Sequence, residues 1–317
     1  MRIAYMGSNY CGQFFPAPPG HEAVWMPYAP SLDAAFSAAG VEPSWPDVLV
    51  VGLAEPCPLP TAMEHCPCPT VPVLVAWQQW ADALLAHANA FDCILVDGSG
   101  AAGLSPLLPG KVRTFSPMGN FSGVTPDDPP TPLAERPHDV AFIGRFSPPE
   151  QYAGRVRGLS ALYPLADRYD VRILSGLSPE AYRDALCSTK IIVNHAAWPV
   201  QQGMNARNIE ASVCGALVLS ESSNLGVSSY FDRDEALFYD EDTLADHISW
   251  ALTHVDEAQA MTDKARQKAS VPQTAEYLAI LDDIVNGPRP DRTSRTPHDA
   301  LTGLCCGFGN WGSGASR

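Results

Sequence analysis

The residues best suited to chemistry lie between Asp139 and Tyr239. Apolar runs there stop at polar residues: Asp139–Ile143 at Gly144-Arg145, Asp170–Leu174 at Ser175-Gly176, and Lys190–Val193 at Asn194-His195. The segment Gly203-Met204-Asn205-Ala206-Arg207-Asn208-Ile209-Glu210 then opens a helix, with Gly203 to Asn205 offering backbone N–H groups. In open α/β sheets ligands bind beyond the carboxyl ends of the strands. Two arginines, a helix N-terminus and a carboxylate would then line one cleft. Guanidinium groups suit phosphate oxygens, helix N-termini suit anions, and a carboxylate accepts from hydroxyls. The pattern points to a diphosphate bearing a polar group. Arg145 and Arg207 would take the phosphates, Glu210 the hydroxyls, and Lys190 would add a cation.

Each residue also has a plainer reading. Arg207 lies three residues before Glu210, within reach of an intrahelical pair. Lys190 is equally a strand-edge solubiliser. His195 at a strand end is equally a satisfied structural histidine. Cys214 reads as helix packing beside Gly215.

A second motif, Gly98-Ser99-Gly100-Ala101-Ala102-Gly103, follows the apolar run Cys93–Val96 and Asp97 and matches the dinucleotide fingerprint. It is not in the first βα unit, and the acids that follow, Asp127 and Asp128, lie among prolines instead of ending a strand. NAD(P) binding at this loop is the alternative reading. A third cluster, His65-Cys66-Pro67-Cys68 with Cys57 nearby, lacks the second half of a structural zinc site and reads as a proline-rich surface loop. The nine cysteines, an odd number, do not form a disulfide framework.

These groups need elements to position them. Apolar runs at Arg2–Met6, Asp47–Val51, Val71–Ala76 and Cys93–Val96 alternate with helix-like Ser31–Ala39, Trp77–Asn89 and Gly100–Leu108. The same grammar restarts after a segment holding Pro126, Pro129, Pro130, Pro132 and Pro137. Such alternation indicates βαβ units and parallel sheets. The expected fold is α/β, with two Rossmann-like domains facing a cleft. Residues 1–125 form the first domain, 126–138 a proline-rich linker and 139–270 the second domain. Residues 271–286 are expected to form a terminal helix returning to the first domain, and 287–317 a mostly disordered tail. The tail's Cys305-Cys306 pair lacks a terminal prenylation box.

Lys+Arg is 20 and Asp+Glu is 35, so the net charge is 20 − 35 = −15. That balance, without clustered cations, argues against nucleic acid and anionic membranes as partners. No run reaches the length of a membrane span, and the N-terminus reads as a strand and not as a leader. A cytoplasmic protein with a small-molecule ligand is expected.

The run Asn205-x-Arg207-x-x-Glu210-Ala211-x-x-Cys214-Gly215-Ala216-x-Val218-Leu219-Ser220 resembles the donor-binding motif of GT-B fold nucleotide-sugar glycosyltransferases. The likeness is to the group-1 type and its CgeB-like, spore-maturation relatives. Phe142-Ile143-Gly144-Arg145, Ser188-Thr189-Lys190-Ile191-Ile192-Val193-Asn194 and Tyr230-Phe231 with Glu235 and Tyr239 extend it over about 120 residues. The resemblance implies a nucleotide sugar, UDP- or GDP-linked, as substrate, no cofactor, and a role for Glu210 on the ribose. It departs at Gln202, where retaining members carry the first Glu of Glu-x7-Glu. The expected activity is hexosyl transfer to an unknown acceptor, retaining or inverting, and metal-independent because Arg145, Arg207 and the helix opening can stabilise the departing diphosphate and no Asp-x-Asp pair is expected to hold a metal. A non-catalytic sugar-nucleotide binder is a further alternative. Asp97 and His195 are candidate catalytic residues, with Asp82 and His87 as other candidate bases.

Overall fold

A computed structural model of the chain describes residues 1–7, 20–53, 59–74, 77–116, 124, 129–146, 149–196, 203–240, 242–271 and 274–288. Cys57, Asp127, Asp128, Gln202 and the tail from residue 289, with Cys305 and Cys306, lie outside the described residues.

Two parallel sheets form, one per domain. The first has the order β2-β1-β3-β4-β5-β6, from β1 (Arg2–Met6), β2 (Glu22–Met26), β3 (Val48–Leu53), β4 (Thr70–Leu74), β5 (Ile94–Val96) and β6 (Val112–Thr114). The second has the order β11-β10-β9-β7-β8, from β7 (His138–Ile143), β8 (Val171–Leu174), β9 (Thr189–Asn194), β10 (Leu217–Glu221) and β11 (Leu237–Tyr239). In each sheet the chain reverses its direction of travel between the first and third strand. That switch point opens a crevice at the strands' carboxyl ends.

The helices are α1 (Leu32–Ala39), α2 (Trp77–Ala86), α3 (Gly98–Leu104), α4 (Pro149–Leu159), α5 (Pro179–Ser188), α6 (Ala206–Val213), α7 (Leu225–Ser228), α8 (Leu244–Thr253), α9 (Val255–Ala269) and α10 (Thr274–Asn286). Their starts follow local chemistry. Ser31 and Ser178 accept from the N–H groups of Ala34 and Ala181, and Pro179 opens α5.

The strands are apolar on both faces because both faces are covered. Ala4, Met6, Leu49 and Val51 face a cluster with α1, while Ile3, Tyr5, Val48 and Val50 face the opposite cluster. That second cluster continues through Phe115 and Tyr277 to Ile143, Ile192 and Val218 of the second sheet. Phe115 and Tyr277 have ring centroids 5.4 Å apart, and Asp283 of α10 pairs with Arg113 of β6 at 2.6 Å. The last helix thus packs against the first domain.

The end of the linker is anchored to the second domain. Buried Arg136 donates to the carbonyls of Thr131, Leu186, Thr189 and Cys214 at 2.6–3.2 Å. Gly215 has φ +73°, and a Cβ there would lie 2.8 Å from the Arg136 Nη2. Among the described residues no helix is long and apolar enough to cross a membrane.

Candidate active site

The carboxyl ends of β7, β9 and β10 converge on the start of α6. Asn194, fully buried at the end of β9, donates from Nδ2 to Ser220 Oγ of β10 at 3.0 Å. Its Oδ1 accepts from Asn205 Nδ2 at 2.7 Å. Asn205 is the N-cap of α6, yet its side chain makes no capping bond, and its buried Oδ1 has no partner. The turn before it is held at two backbone groups. Asn224 Nδ2 donates to Gly203 O at 3.3 Å, and Met204 N–H donates to Asp97 Oδ2 at 3.0 Å.

Arg207 is the second residue of α6. Its Nε and Nη1 are buried without a hydrogen-bond partner. Its guanidinium carbon is 5.4 Å from the Phe142 ring centroid, within cation–π range. Burial pulls its pKa below the usual arginine range, partly opposed by Tyr182 and Glu210. Gly144 permits this approach, since a Cβ there would lie 2.7 Å from Phe142 Cζ and 3.3 Å from Arg207 Nη2. Glu210, 6% exposed, accepts from the Tyr182 hydroxyl at 2.5 Å. Desolvation, and then Glu210, raise the Tyr182 pKa, so the phenol stays a donor.

Arg145 follows directly, its side chain exposed and its carbonyl accepting from Arg155 Nη1 at 2.7 Å. Ser175 and Gly176 are exposed at the end of edge strand β8, next to β7.

Lys190 is not at this site. It lies near the start of β9 and pairs with Asp139 near the start of β7 at 2.7 Å. At ~3.3 Å per residue it is about 13 Å from the end of β9. A charged residue next to an apolar run does not reveal which end of the strand it occupies.

His195 is brought to the site but is packed as a structural group. A Cβ on Gly158 would lie 2.1 Å from its Cε1. Its Nδ1 is 3.0 Å from Tyr239 Oη and 3.1 Å from Glu221 Oε1. Desolvation, then Arg155, pushes its pKa down to about 4. Glu221, which the sequence pattern does not single out, ends β10 beside it. It accepts from Ala196 N–H at 2.8 Å, and burial pushes its pKa up to about 7. Both shifts favour an uncharged pair.

Asp97 is engaged on both oxygens. Oδ1 accepts from Ser99 Oγ at 2.7 Å and Gly100 N–H at 2.9 Å, capping α3, while Oδ2 takes Met204. The glycine motif serves packing. A Cβ on Gly100 would lie 2.0 Å from Val96 Cγ2, one on Gly103 2.6 Å from Trp77 Cη2, and one on Gly98 2.5 Å from Ser229 Oγ. Neighbouring groups therefore leave no room for side chains at these three positions, and Asp97 already takes the Gly100 N–H at the helix opening. Asp82 is exposed on α2, and His87 follows that helix.

Among the described residues no group of three His, Cys, Asp or Glu side chains is placed to hold a metal. Cys66 and Cys68, expected on a surface loop, are instead buried. The chain does contain Asp-x-Asp runs. Asp232 and Asp234 pair with Lys268 and Lys264 on the surface, and Asp240 accepts from Ser222.

Residues 138–279 match the family described as glycosyl transferase-like. No curated protein matches the chain. Among solved structures, an α-glucosyltransferase in complex with UDP and a 13-mer DNA aligns with TM-score 0.59 at 11% identity, covering 90% of this chain and 100% of that one. HepE of Anabaena in complex with UDP-glucose aligns with TM-score 0.54 at 11% identity, covering 88% and 100%. TarM aligns with TM-score 0.52 at 14% identity over 76% of this chain, which spans only 55% of the TarM length. The fold is therefore that of the GT-B glycosyltransferases, and the second domain carries a glycosyltransferase-like region.

Proposed function

We propose that the chain transfers a sugar from a nucleoside-diphosphate sugar to an acceptor held by the first domain. The observation that carries this reading is Arg207. Two of its nitrogens are buried and unpartnered at the start of a helix, beside the unpartnered Oδ1 of Asn205. Buried polar groups are almost always paired, so a guanidinium with two open N–H sites and an open Asn205 acceptor at the same helix start call for a ligand with both an anion and a donor. A diphosphate with attached hydroxyls supplies both. Arg207 and the helix N-terminus would stabilise charge on the departing diphosphate, without a metal. Arg145 would reach the same phosphates from the cleft rim, and Glu210, oriented by Tyr182, would accept from the ribose. UDP is the nucleotide proposed, by analogy with the solved relatives that hold it.

The test is calorimetric titration with UDP, GDP and NAD, followed by donor-sugar hydrolysis in excess EDTA. UDP binding, turnover that survives EDTA, and no NAD binding are expected. Arg207→Met should lose at least about tenfold in UDP affinity, since a charge-assisted contact is worth roughly 1.5–3 kcal/mol. The same variant also gives up the interactions of the guanidinium with Tyr182 and Glu210, so its affinity is read on a chain that a cooperative melt shows to be folded. UDP affinity within twofold of wild type would sink the assignment, and binding without turnover would leave a nucleotide-sugar binder.

A further inference from the structure

We infer that Asp97 is a positioning residue that reaches across from the first domain to hold the nucleotide-binding turn of the second. The nucleotide part of this inference rests on the function proposed above; the cross-domain contact does not. Asp97 follows β5 and is 4% exposed. A carboxylate this buried is costly unless its oxygens are paired. Capping α3 uses Oδ1 alone, through Ser99 Oγ and Gly100 N–H. Oδ2 is spent on Met204 N–H, 107 residues away in the other domain, at 3.0 Å.

The surroundings are built for that approach. Gly98 has no side chain where a Cβ would meet Ser229 Oγ at 2.5 Å, so α3 touches the end of α7 without a spacer. On the second domain's side, Asn224 caps α7 through Val227 N–H at 3.1 Å and holds Gly203 O at 3.3 Å. The turn ahead of α6 is thus gripped at successive residues, Gly203 by its own domain and Met204 by the opposite one. Asn205 and Arg207 follow immediately. Opening the cleft would free Met204 N–H and loosen the residues that aim those two side chains. Nucleotide affinity and cleft closure are then one linked equilibrium, because the binding-competent turn exists only in the closed form.

Asp97→Asn separates this role from helix capping. Asparagine keeps an Oδ1 that caps α3 equally well. It turns an amide N–H₂ toward Met204 N–H, donor against donor. Hydrogen exchange and UDP calorimetry on the full chain read the result. Exchange at Met204 should accelerate about tenfold and UDP Kd should rise about tenfold, the loss expected for a bond to a charged acceptor. Gly98→Ala, a wedge against Ser229, should act in the same direction without altering the carboxylate, and reads the contact if Asp97→Asn does not fold. Exchange and affinity within twofold of wild type in either folded variant overturn the inference. Faster Met204 exchange in Asp97→Asn, with no UDP binding by the wild type, would keep the cross-domain tie and overturn the function proposed above.

Discussion

Glu221 and His195 meet at 3.1 Å, each shifted by burial toward its uncharged form. Their effects on stability run in opposite directions with pH. For Glu221 the folded chain retains a proton up to about pH 7, where the unfolded chain has released it near 4.5, so stability falls with rising pH over that window and is level above it. For His195 the unfolded chain binds a proton that the folded chain binds only near pH 4, so stability rises between about 4 and 6.5. Between about pH 4.5 and 6.5 the two contributions should therefore nearly cancel. Glu221→Gln removes the first contribution, and its stability relative to wild type should rise by about 2–3 kcal/mol between pH 4.5 and 7, at 1.36 kcal/mol per pKa unit. Urea melts at a series of pH values check this; parallel wild-type and variant profiles would show that Glu221 titrates as an ordinary carboxylate.

At the scale of elements, the Gly98–Gly103 helix shows how a nucleotide-like spacing arises from packing. Gly100 faces Val96 Cγ2 and Trp77 Cδ1, where a Cβ would lie 2.0 Å and 2.9 Å away. Both neighbours belong to the first domain's own βα unit, and Trp77 Nε1 donates to Ser99 Oγ at 3.0 Å. Gly100→Ala should destabilise by about 1–3 kcal/mol or more, the usual cost of overpacking. It should do so without weakening UDP binding once the chain is folded. Thermal melts with and without UDP separate the two, and a variant as stable as wild type would mean that α3 is free to move away from Trp77. In the second domain the helix opened by Gly203–Glu210 is α6, whose residues Asn208 to Val213 are all buried. Strands β2, β6 and β11 are not marked by the sequence pattern. Each is an edge strand, and β6 and β11 have three residues, too few for a period to show.

For the whole molecule, among the described residues, the halves are joined by the core running from Tyr5 through Phe115 and Tyr277 to Ile143, by the Asp97–Met204 bond and by the contact of Gly98 with Ser229. Arg136 fastens the incoming chain to the second domain through the carbonyls of Leu186, Thr189 and Cys214. Arg136→Met strands buried acceptors at the turns after α5 and α6, and should cost about 3–5 kcal/mol. The loss should appear chiefly as earlier unfolding of the second domain in hydrogen exchange. Uniform loss across both domains would instead place Arg136 in the joint core.

The sequence by itself determined the α/β class, the two-fold repetition of βαβ units, and the cluster at residues 203–210. Each follows from local signals: continuous apolar runs, a proline-rich break, a capped helix start. It could also name residues near strand ends, and Asn194, Gly144, Asn205, Arg207 and Glu210 do lie at or beside the convergence of β7, β9 and α6. Only the tertiary structure decided which candidates are already occupied. Lys190 belongs to the opposite end of its strand, bound to Asp139; His195 is packed against Gly158; the glycine motif is filled by Trp77, Val96 and Ser229. Glu221 and the partner of Asp97 emerged only there, because a hydrogen bond between residues 107 apart leaves no periodic trace in the chain. Spacing reports which groups can act, and packing reports which of them still have a free lone pair or N–H.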